Sequence, residues 1–421
     1  MSKIFPPKAD SPPVKKFSEG FLWGAATSAH QVEGNNHNDW TQWEKENAER
    51  LSKESGGKYL PENYISGKAC DHYNRYEEDF DIAKSLSHNA HRFSIEWSRV
   101  EPEEGKFNEK EIEHYRDVIC ALRKRGIEPF VTLWHWTLPL WISKNGGWEN
   151  RKTVRYFARY CEKVVYALRE DVKFWITLNE PVVHAKISYL EGRWPPQKKN
   201  FFSFLRVFRN LAHGHNLAYS SIKKIKPESQ IGIAHNMSFF EVERKNFISL
   251  LVKWFGEWWK NYRFLNAISK CQDFIGFNYY SHYKVGWRKY KIKTEEISDM
   301  GWAMYPKGIY LMLSALKKYR KPLFITENGL ADARDQYRSW FIIEHLKWVS
   351  EAIKDNVDVR GYFYWSLLDN FEWSDGFWPR FGLVEIDYET LERKPRPSSK
   401  VYAEIAKANG INETTKVKEE K

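Results

Sequence analysis

The sequence predicts an α/β fold, a single (β/α)8 barrel of the TIM type. Three observations predict it. Eight apolar runs of strand length, rich in β-branched and aromatic residues, recur along the chain, and stretches with helical periodicity lie between them. Most of the runs are apolar at successive positions, as strands covered on both faces are. Their polar residues gather at the C-terminal ends, where a barrel of this kind builds its site. The competing fold, a doubly wound open sheet, calls for a glycine-rich phosphate turn after an early strand, and the sequence has none.

The elements follow in chain order. Residues 1–16, MSKIFPPKADSPPVKK, are rich in Pro and Lys and are expected to form a flexible N-terminal segment. The barrel is expected to fill residues 17–410. Its strands are expected at FLWGAATSA (21–29), AHRFSIEW (90–97), EPFVTLWHW (128–136) and KFWITLNE (173–180). They continue at SQIGIAHN (229–236), DFIGFNYY (273–280), PLFITENG (322–329) and VRGYFYWSLL (359–368). Apolar residues at steps of three and four mark helices over 73–86, 109–124, 153–168, 204–225 and 340–353. Gly126 stands at a helix C-cap position, directly before the third strand. Residues 411–421 read as a charged, solvated tail.

Composition narrows the function classes. Hydrophobic residues make up 42% of 421, enough for a large core. Aromatic residues make up 16%; most must fill that core, and the remaining faces suit the C–H faces of sugar rings. The net charge of +11 comes from charges of both signs spread along the chain, so no nucleic-acid partner is expected. Cys70, Cys120, Cys161 and Cys271 form no CxxC pair and read as thiols of a reducing compartment. His213 and His215 are separated by one residue on a helix, so they diverge. No metal and no cofactor are expected. No apolar signal core opens the chain, and no run reaches the ~18 residues of a membrane span, so a soluble cytoplasmic protein is expected. Nothing in the sequence sets an oligomeric state.

Two segments carry the chemistry. ITLNEP ends an apolar strand at Glu180-Pro181, and FITENG ends another around Glu327. A strand delivers such a carboxylate to the rim of a sheet, where a buried wall holds it. Two carboxylates held at one rim are what acid-assisted cleavage of a glycosidic bond needs. The other strand ends carry Gln31, Arg92 and Glu96, His135, Asn179, Asn236, Asn278 and Tyr280, Asn328, and Trp365. Glu33 and Glu96 read as supporting or helix-facing charges, and His30 and Asn236 as structural groups.

These residues sit in a longer series: FLWGAATSAHQVEG, ACDHYNRYEEDFDIAKSL, HRFSIEWSR, HWTLP, ITLNEP, FNYYS, ITENG, LLDNFEW and RFGLVEIDYETLERKPRPSS. In this the chain resembles glycoside hydrolase family 1, the β-glucosidase family, over residues 17–407. The resemblance implies a retaining mechanism, with Glu327 as nucleophile and Glu180 as general acid/base. Retention places the two carboxyls about 5–5.5 Å apart. At that distance the anions repel and one pKa rises; Glu180 is expected to be the protonated partner. The resemblance also puts Arg92, Tyr280 and Asn278 in support of the nucleophile. It places Asn179 on the sugar 2-hydroxyl, and Gln31, His135, Glu372 and Trp373 around the sugar. Trp365 matches the aromatic floor beneath the sugar, and Phe381 is expected beside it.

Substrate class follows from the same matches. Phospho-sugar members place Ser at position 372, and Lys and Tyr at positions 379 and 381; here Glu372, Pro379 and Phe381 stand there, which disfavours a 6-phosphate. Thioglucosidases lack the acid carboxylate that Glu180 supplies. The expectation is an exo-β-glycosidase of β-glucosides, with β-galactoside and β-fucoside cleavage beside it. A β-mannosidase preference and a non-catalytic sugar-binding barrel are the alternatives. The chain departs from the family at Thr137, where Asp is common, and in a short Trp-rich segment, 247–265. Its apolar residues recur at helical spacing and are expected to cover the barrel. The second reading is an exposed wall for apolar aglycones or a membrane surface, helped by Lys253, Lys260 and the basic run 284–293.

Overall fold

The computed structural model of the chain describes residues 16–242, 246–285 and 297–411. Residues 1–15 of the expected N-terminal segment, 412–421 of the expected tail and most of the basic run 284–293 lie outside the described residues.

Eight parallel strands close into a barrel: β1 Leu22–Ala26, β2 Ala90–Ser94, β3 Glu128–Thr132, β4 Phe174–Asn179, β5 Gln230–Asn236, β6 Ile275–Asn278, β7 Leu323–Asn328 and β8 Val359–Trp365. Each pairs with its sequence neighbours, and β8 returns to β1 with Ala26 opposite Trp365. The strands stop earlier than the apolar runs that predicted them, because the last residues of each run leave the ladder to build the rim.

The barrel interior is plugged with rings. Phe130 stacks on Phe174 at 4.2 Å and meets Phe324 and Phe363 at 5.2 and 4.8 Å. These residues come from β3, β4, β7 and β8, and non-adjacent strands of a closed barrel meet only through its middle. The plug closes the lower half and leaves the C-terminal rim free. Helices coat the outside. Helix Lys152–Leu168 buries Phe157, Tyr160, Cys161, Val164 and Leu168, one stripe at steps of three and four. It packs against helix Phe201–Ile225, whose first turn is capped by Asn200 Oδ1 accepting from Ser203 N at 2.9 Å. Cys70 and Cys161 are buried, Cys120 and Cys271 half-buried, and all four are free thiols.

Two small sheets escaped the sequence reading. Phe239–Val242 pairs in parallel with His282–Val285, above β5 and β6. Val384–Ile386 pairs antiparallel with Arg393–Pro395. Strands of three or four residues are too short to show a period.

The Trp-rich segment corrects its expectation in part. Helix Arg263–Ile268 buries Phe264, Leu265 and Ile268 and covers the barrel. Helix Phe247–Glu257, joined to it by a wider turn at Trp258–Tyr262, buries only Ser249. Helical spacing says that apolar residues share a face; it does not say that another element covers that face.

Candidate active site

The rim is built by how each strand ends. β4 ends at Asn179, and the next residue, Glu180, is left-handed at φ 42° and ψ 55°. A side chain other than glycine is strained there, and such strain collects at functional sites. Pro181 then starts helix Pro181–Lys186 with its fixed φ. The tight reversal is held by Glu180 N donating to Ala234 O at 2.7 Å. It turns the Glu180 carboxyl into the mouth of the barrel.

Glu180 is buried, and its Oε1 accepts from Asn278 Nδ2 at 2.8 Å and from Asn236 Nδ2 at 3.0 Å. Burial raises its pKa, and the charge of Glu327 raises it further, to about 7; the two amides and Lys260 pull the other way and lose. Glu180 therefore keeps its proton near neutrality.

Glu327, on β7, is held differently. Its Oε1 accepts from Arg92 Nη1 at 2.5 Å and its Oε2 from the Tyr280 hydroxyl at 2.6 Å. Arg92 is fully buried and is itself oriented: Nη2 donates to Asn179 Oδ1 at 2.8 Å and Nε to Thr132 Oγ1 at 3.1 Å. The expectation that Asn278 supports Glu327 is corrected. Asn278 donates to Glu180 and, at 3.3 Å, to Asn179 Oδ1, while its own Oδ1 accepts from Thr326. The pairing of β6 and β7 shifts register at Asn278, which turns its side chain toward Glu180. One hydrogen-bonded chain thus runs Glu180–Asn278–Asn179–Arg92–Glu327.

Both carboxyls line a cavity of about 800 Å³, together with His135, Trp365, Glu372, Trp373 and Phe381. His135 is buried, and burial together with the Arg92 charge holds its pKa well below the usual histidine range, so the ring is neutral. Its Nε2 accepts from Asn179 Nδ2 at 2.9 Å, which leaves the proton on Nδ1; that atom has no partner among the described residues. Trp365 lies 6.0 Å from the His135 ring, nearly parallel to it. Trp373, left-handed at φ 53°, lies nearly parallel to His135 at 5.9 Å and to His30 at 5.4 Å, so two rings hold its own. Burial, then the charges of Asp375, Glu327 and Glu180, push the Glu372 carboxyl well above the usual range.

Gln31 and Asn179 stand behind the cavity wall. Gln31 Nε2 donates to Asn370 Oδ1 at 3.0 Å, to Phe371 O at 2.9 Å and to Glu372 Oε2 at 3.3 Å. It steers Glu372.

The structure also brings to the cavity residues that the sequence reading had not placed in the catalytic site. Asn236, read as structural, donates to the Glu180 carboxyl. Lys260 projects into the cavity, donating to Ser238 Oγ at 2.9 Å and the Tyr283 hydroxyl at 3.2 Å. Trp302 packs on Tyr280 and Phe381 at 5.6 and 6.0 Å. Asn236 ends a strand as the other site residues do, so its position was a usable signal; Lys260 sits in the wide helical turn Trp258–Tyr262 and Trp302 on a loop, and nothing local marks either as facing the cavity. The structural readings hold for His30, which meets Glu44 at 2.7 Å, and for Glu33, which meets Arg99 at 3.0 Å. Thr137 donates to Glu96 at 2.9 Å behind the wall.

Comparison with known proteins agrees with this geometry. The glycosyl hydrolase family 1 model matches residues 14–248 and 260–411. Beta-glucosidase A of Thermotoga maritima is 34% identical, over 95% of this chain and 100% of its own. A beta-galactosidase of Pyrococcus woesei is 31% identical, over 96% and 99%. The solved beta-glycosidase from Pyrococcus horikoshii superposes with a TM-score of 0.87 at 41% identity, over 95% of this chain and 97% of that one. The chain belongs to glycosyl hydrolase family 1.

Proposed function

We propose that this chain is a retaining exo-β-glycosidase that removes terminal β-glucosyl, and also β-galactosyl or β-fucosyl, residues from O-glycosides. The observation that carries the reading is the division of labour between two carboxyls at one cavity. Glu180 holds a proton up to about pH 7, whereas Glu327 is gripped by Arg92 and Tyr280.

In the proposed reaction Glu180 gives its proton to the glycosidic oxygen as the bond to the anomeric carbon breaks. Glu327 attacks that carbon from the other face, and a glycosyl ester forms. Esterification removes the negative charge that helped raise the Glu180 pKa. Glu180, now deprotonated, takes a proton from water, and the water oxygen displaces Glu327. The sugar leaves with its original anomeric configuration. His135 Nδ1 and Glu372 face the cavity as hydrogen-bonding groups for sugar hydroxyls, and Trp365 offers a flat apolar face. Glu372, Pro379 and Phe381 supply no cation for a 6-phosphate, so the sugar is read as unphosphorylated.

A panel of nitrophenyl β-glycosides tests the activity, and proton NMR of the first-formed sugar tests its stereochemistry. The β-anomer is expected to appear first; an α-anomer would overturn the retaining route. Glu327→Gly is expected to lose nearly all hydrolysis and to regain turnover with azide. Full activity in that variant would remove Glu327 from the nucleophile's place.

A further inference from the structure

Among the described residues, the cations that line the cavity are Lys186, Arg193 and Lys260. Lys186 and Arg193 share one carboxylate, Glu191, at 3.0 and 3.1 Å. Lys260 forms no ion pair among the described residues: its Nζ donates to Ser238 Oγ at 2.9 Å and to the Tyr283 hydroxyl at 3.2 Å, and lies 4.3 Å from the centre of the Tyr283 ring. An ammonium carries three N–H groups, so one is left without a partner among the described residues. Both hydroxyls accept from Lys260, and neither hydroxyl hydrogen has an acceptor among the described residues.

The lysine is held in place. It sits in the middle of Trp258–Tyr262, a turn wider than an α-helix, and such turns recur at functional sites. The next residue, Asn261, is fully buried and clamps the chain beyond β5: its Oδ1 accepts from Ser238 N at 3.2 Å and its Nδ2 donates to Ser238 O at 2.9 Å. His235, on β5, secures the same turn by donating from Nε2 to Asn261 O at 3.0 Å. Burial pulls the Lys260 pKa down, Tyr283 and Glu180 oppose this, Lys186 adds to it, and the ammonium ends below its ordinary 10.5. A partly buried cation with hydroxyls around it and no acid beside it lacks a counter-charge. Its position gives the ligand's place. Asn236 touches the acid Glu180, and Ser238, two residues further along, touches Lys260. The cation therefore stands one step outside the acid, where the group joined to the glycosidic oxygen departs.

We infer that Lys260, with the hydroxyls of Ser238 and Tyr283, seats a carboxylate on the departing half of the substrate, and that β-glycosides of hydroxy acids are a substrate class of this chain. The inference rests on the assignment of Glu180 and Glu327 proposed above. The free N–H of Lys260 and the two hydroxyl hydrogens are the donors, and a carboxylate is all acceptor. One ammonium matches one negative charge; a dianion such as phosphate would leave a charge uncompensated in the cavity that holds Glu327. Cleavage follows the same route: the proton of Glu180 goes to the oxygen of the hydroxy acid, which leaves as a free alcohol still carrying its carboxylate, and water supplies the hydroxyl of the freed sugar.

The test compares 3-carboxypropyl β-glucoside with its amide, 3-carbamoylpropyl β-glucoside, and uses 4-nitrophenyl β-glucoside as the activity reference. The first two share their shape and differ in one charge. In the wild-type protein at low salt, kcat/KM is expected to be about tenfold higher for the carboxylate. The preference is expected to shrink in about 0.5 M potassium chloride, because salt screens the pair. Lys260→Met is expected to bring the two values within about twofold of each other, whereas Lys260→Arg keeps a preference for the carboxylate. Equal values in the wild type, with the nitrophenyl glucoside still cleaved, would overturn the inference and leave the glycosidase reading standing. Failure to cleave any of the three would remove both. Equal losses on the charged and neutral glucosides in Lys260→Met, with the alkaline limb of the pH profile displaced, would also overturn it, since Lys260 would then act through the proton of Glu180 and not on the substrate.

Discussion

At the scale of single residues, Glu180 is governed by three pressures of unequal size. Burial is the largest, the charge of Glu327 adds to it, and the amides of Asn278 and Asn236 oppose both. Because the acid must carry a proton, kcat/KM for alkyl glucosides is expected to fall as pH rises through about 7. Glu180→Gln should abolish that limb and slow alkyl glucosides by roughly 10²- to 10⁴-fold, with a smaller loss for nitrophenyl glucosides, whose leaving group needs less help. The same shift bears on stability. Its folded-state pKa lies above the ordinary 4.5, so between 4.5 and about 7 the native protein holds a proton that the unfolded chain has released. Stability from this group is therefore present at low pH and lost as pH rises through that window. The midpoint of thermal unfolding of Glu180→Gln, measured against wild type, is expected to gain between pH 5 and pH 8. A difference that stays constant with pH would mean that Glu180 is not buried with its proton.

At the scale of elements, the site is made where strands stop. The pairing of β4 with β5 and of β6 with β7 loses register at Asn179 and Asn278, and the chain turns left-handed at Glu180. The approach of β7 to β8 is equally tight. A Cβ on Gly329 would lie 1.9 Å from Trp365 O, so only glycine lets the residues after Glu327 pass beneath Trp365. Gly329→Ala is expected to cost about 1–3 kcal/mol in chemical denaturation, through overpacking, and to lower kcat by shifting Glu327 and Trp365 together. Unchanged unfolding and unchanged kcat would show that the rim can yield without effect. The outer face of helix Phe247–Glu257 belongs to this scale too, since a neighbouring element, not its own sequence, would have decided its burial.

For the whole molecule, closure matters most. The last barrel strand pairs with the first, and the ends of the described chain meet beside that seam. Phe17 N donates to Asn409 O at 2.9 Å, and Trp23 Nε1 donates to Asn409 Oδ1 at 2.9 Å. The small hairpin after β8 is tied to helix His72–Ser85, which lies between β1 and β2 in the chain, through one buried acid. Asp79 accepts from Arg393 Nε at 2.9 Å and pairs with His72 Nδ1 at 2.7 Å. Asp79→Asn leaves Arg393 buried without its counter-charge. It is expected to lower the free energy of unfolding by about 3–5 kcal/mol in urea. A loss below about 1 kcal/mol would mean that water reaches the guanidinium and replaces the carboxylate.

The order and positions of the eight strands were legible in the sequence, because a strand covered on both faces must be apolar throughout, and that pattern survives without knowledge of its neighbours. Glu180 and Glu327 were legible for the same reason, as charges placed where such runs end. Their partners were not all legible. Asn236 and Asn278 both end strands, yet which carboxyl each one bonds depends on register between strands and on irregularities that no single segment encodes. Lys260 reaches the cavity from the wide helical turn Trp258–Tyr262 and Trp302 from a loop, and the path of each is set by what it packs against. The covering of residues 247–257 was undecided in the same way, since helical spacing creates an apolar face and only the three-dimensional arrangement settles whether anything lies upon it. Local pattern fixed the elements and the acids; contacts between segments far apart in the chain chose the protonated carboxyl, its hydrogen-bond donors and the exposure of helix Phe247–Glu257.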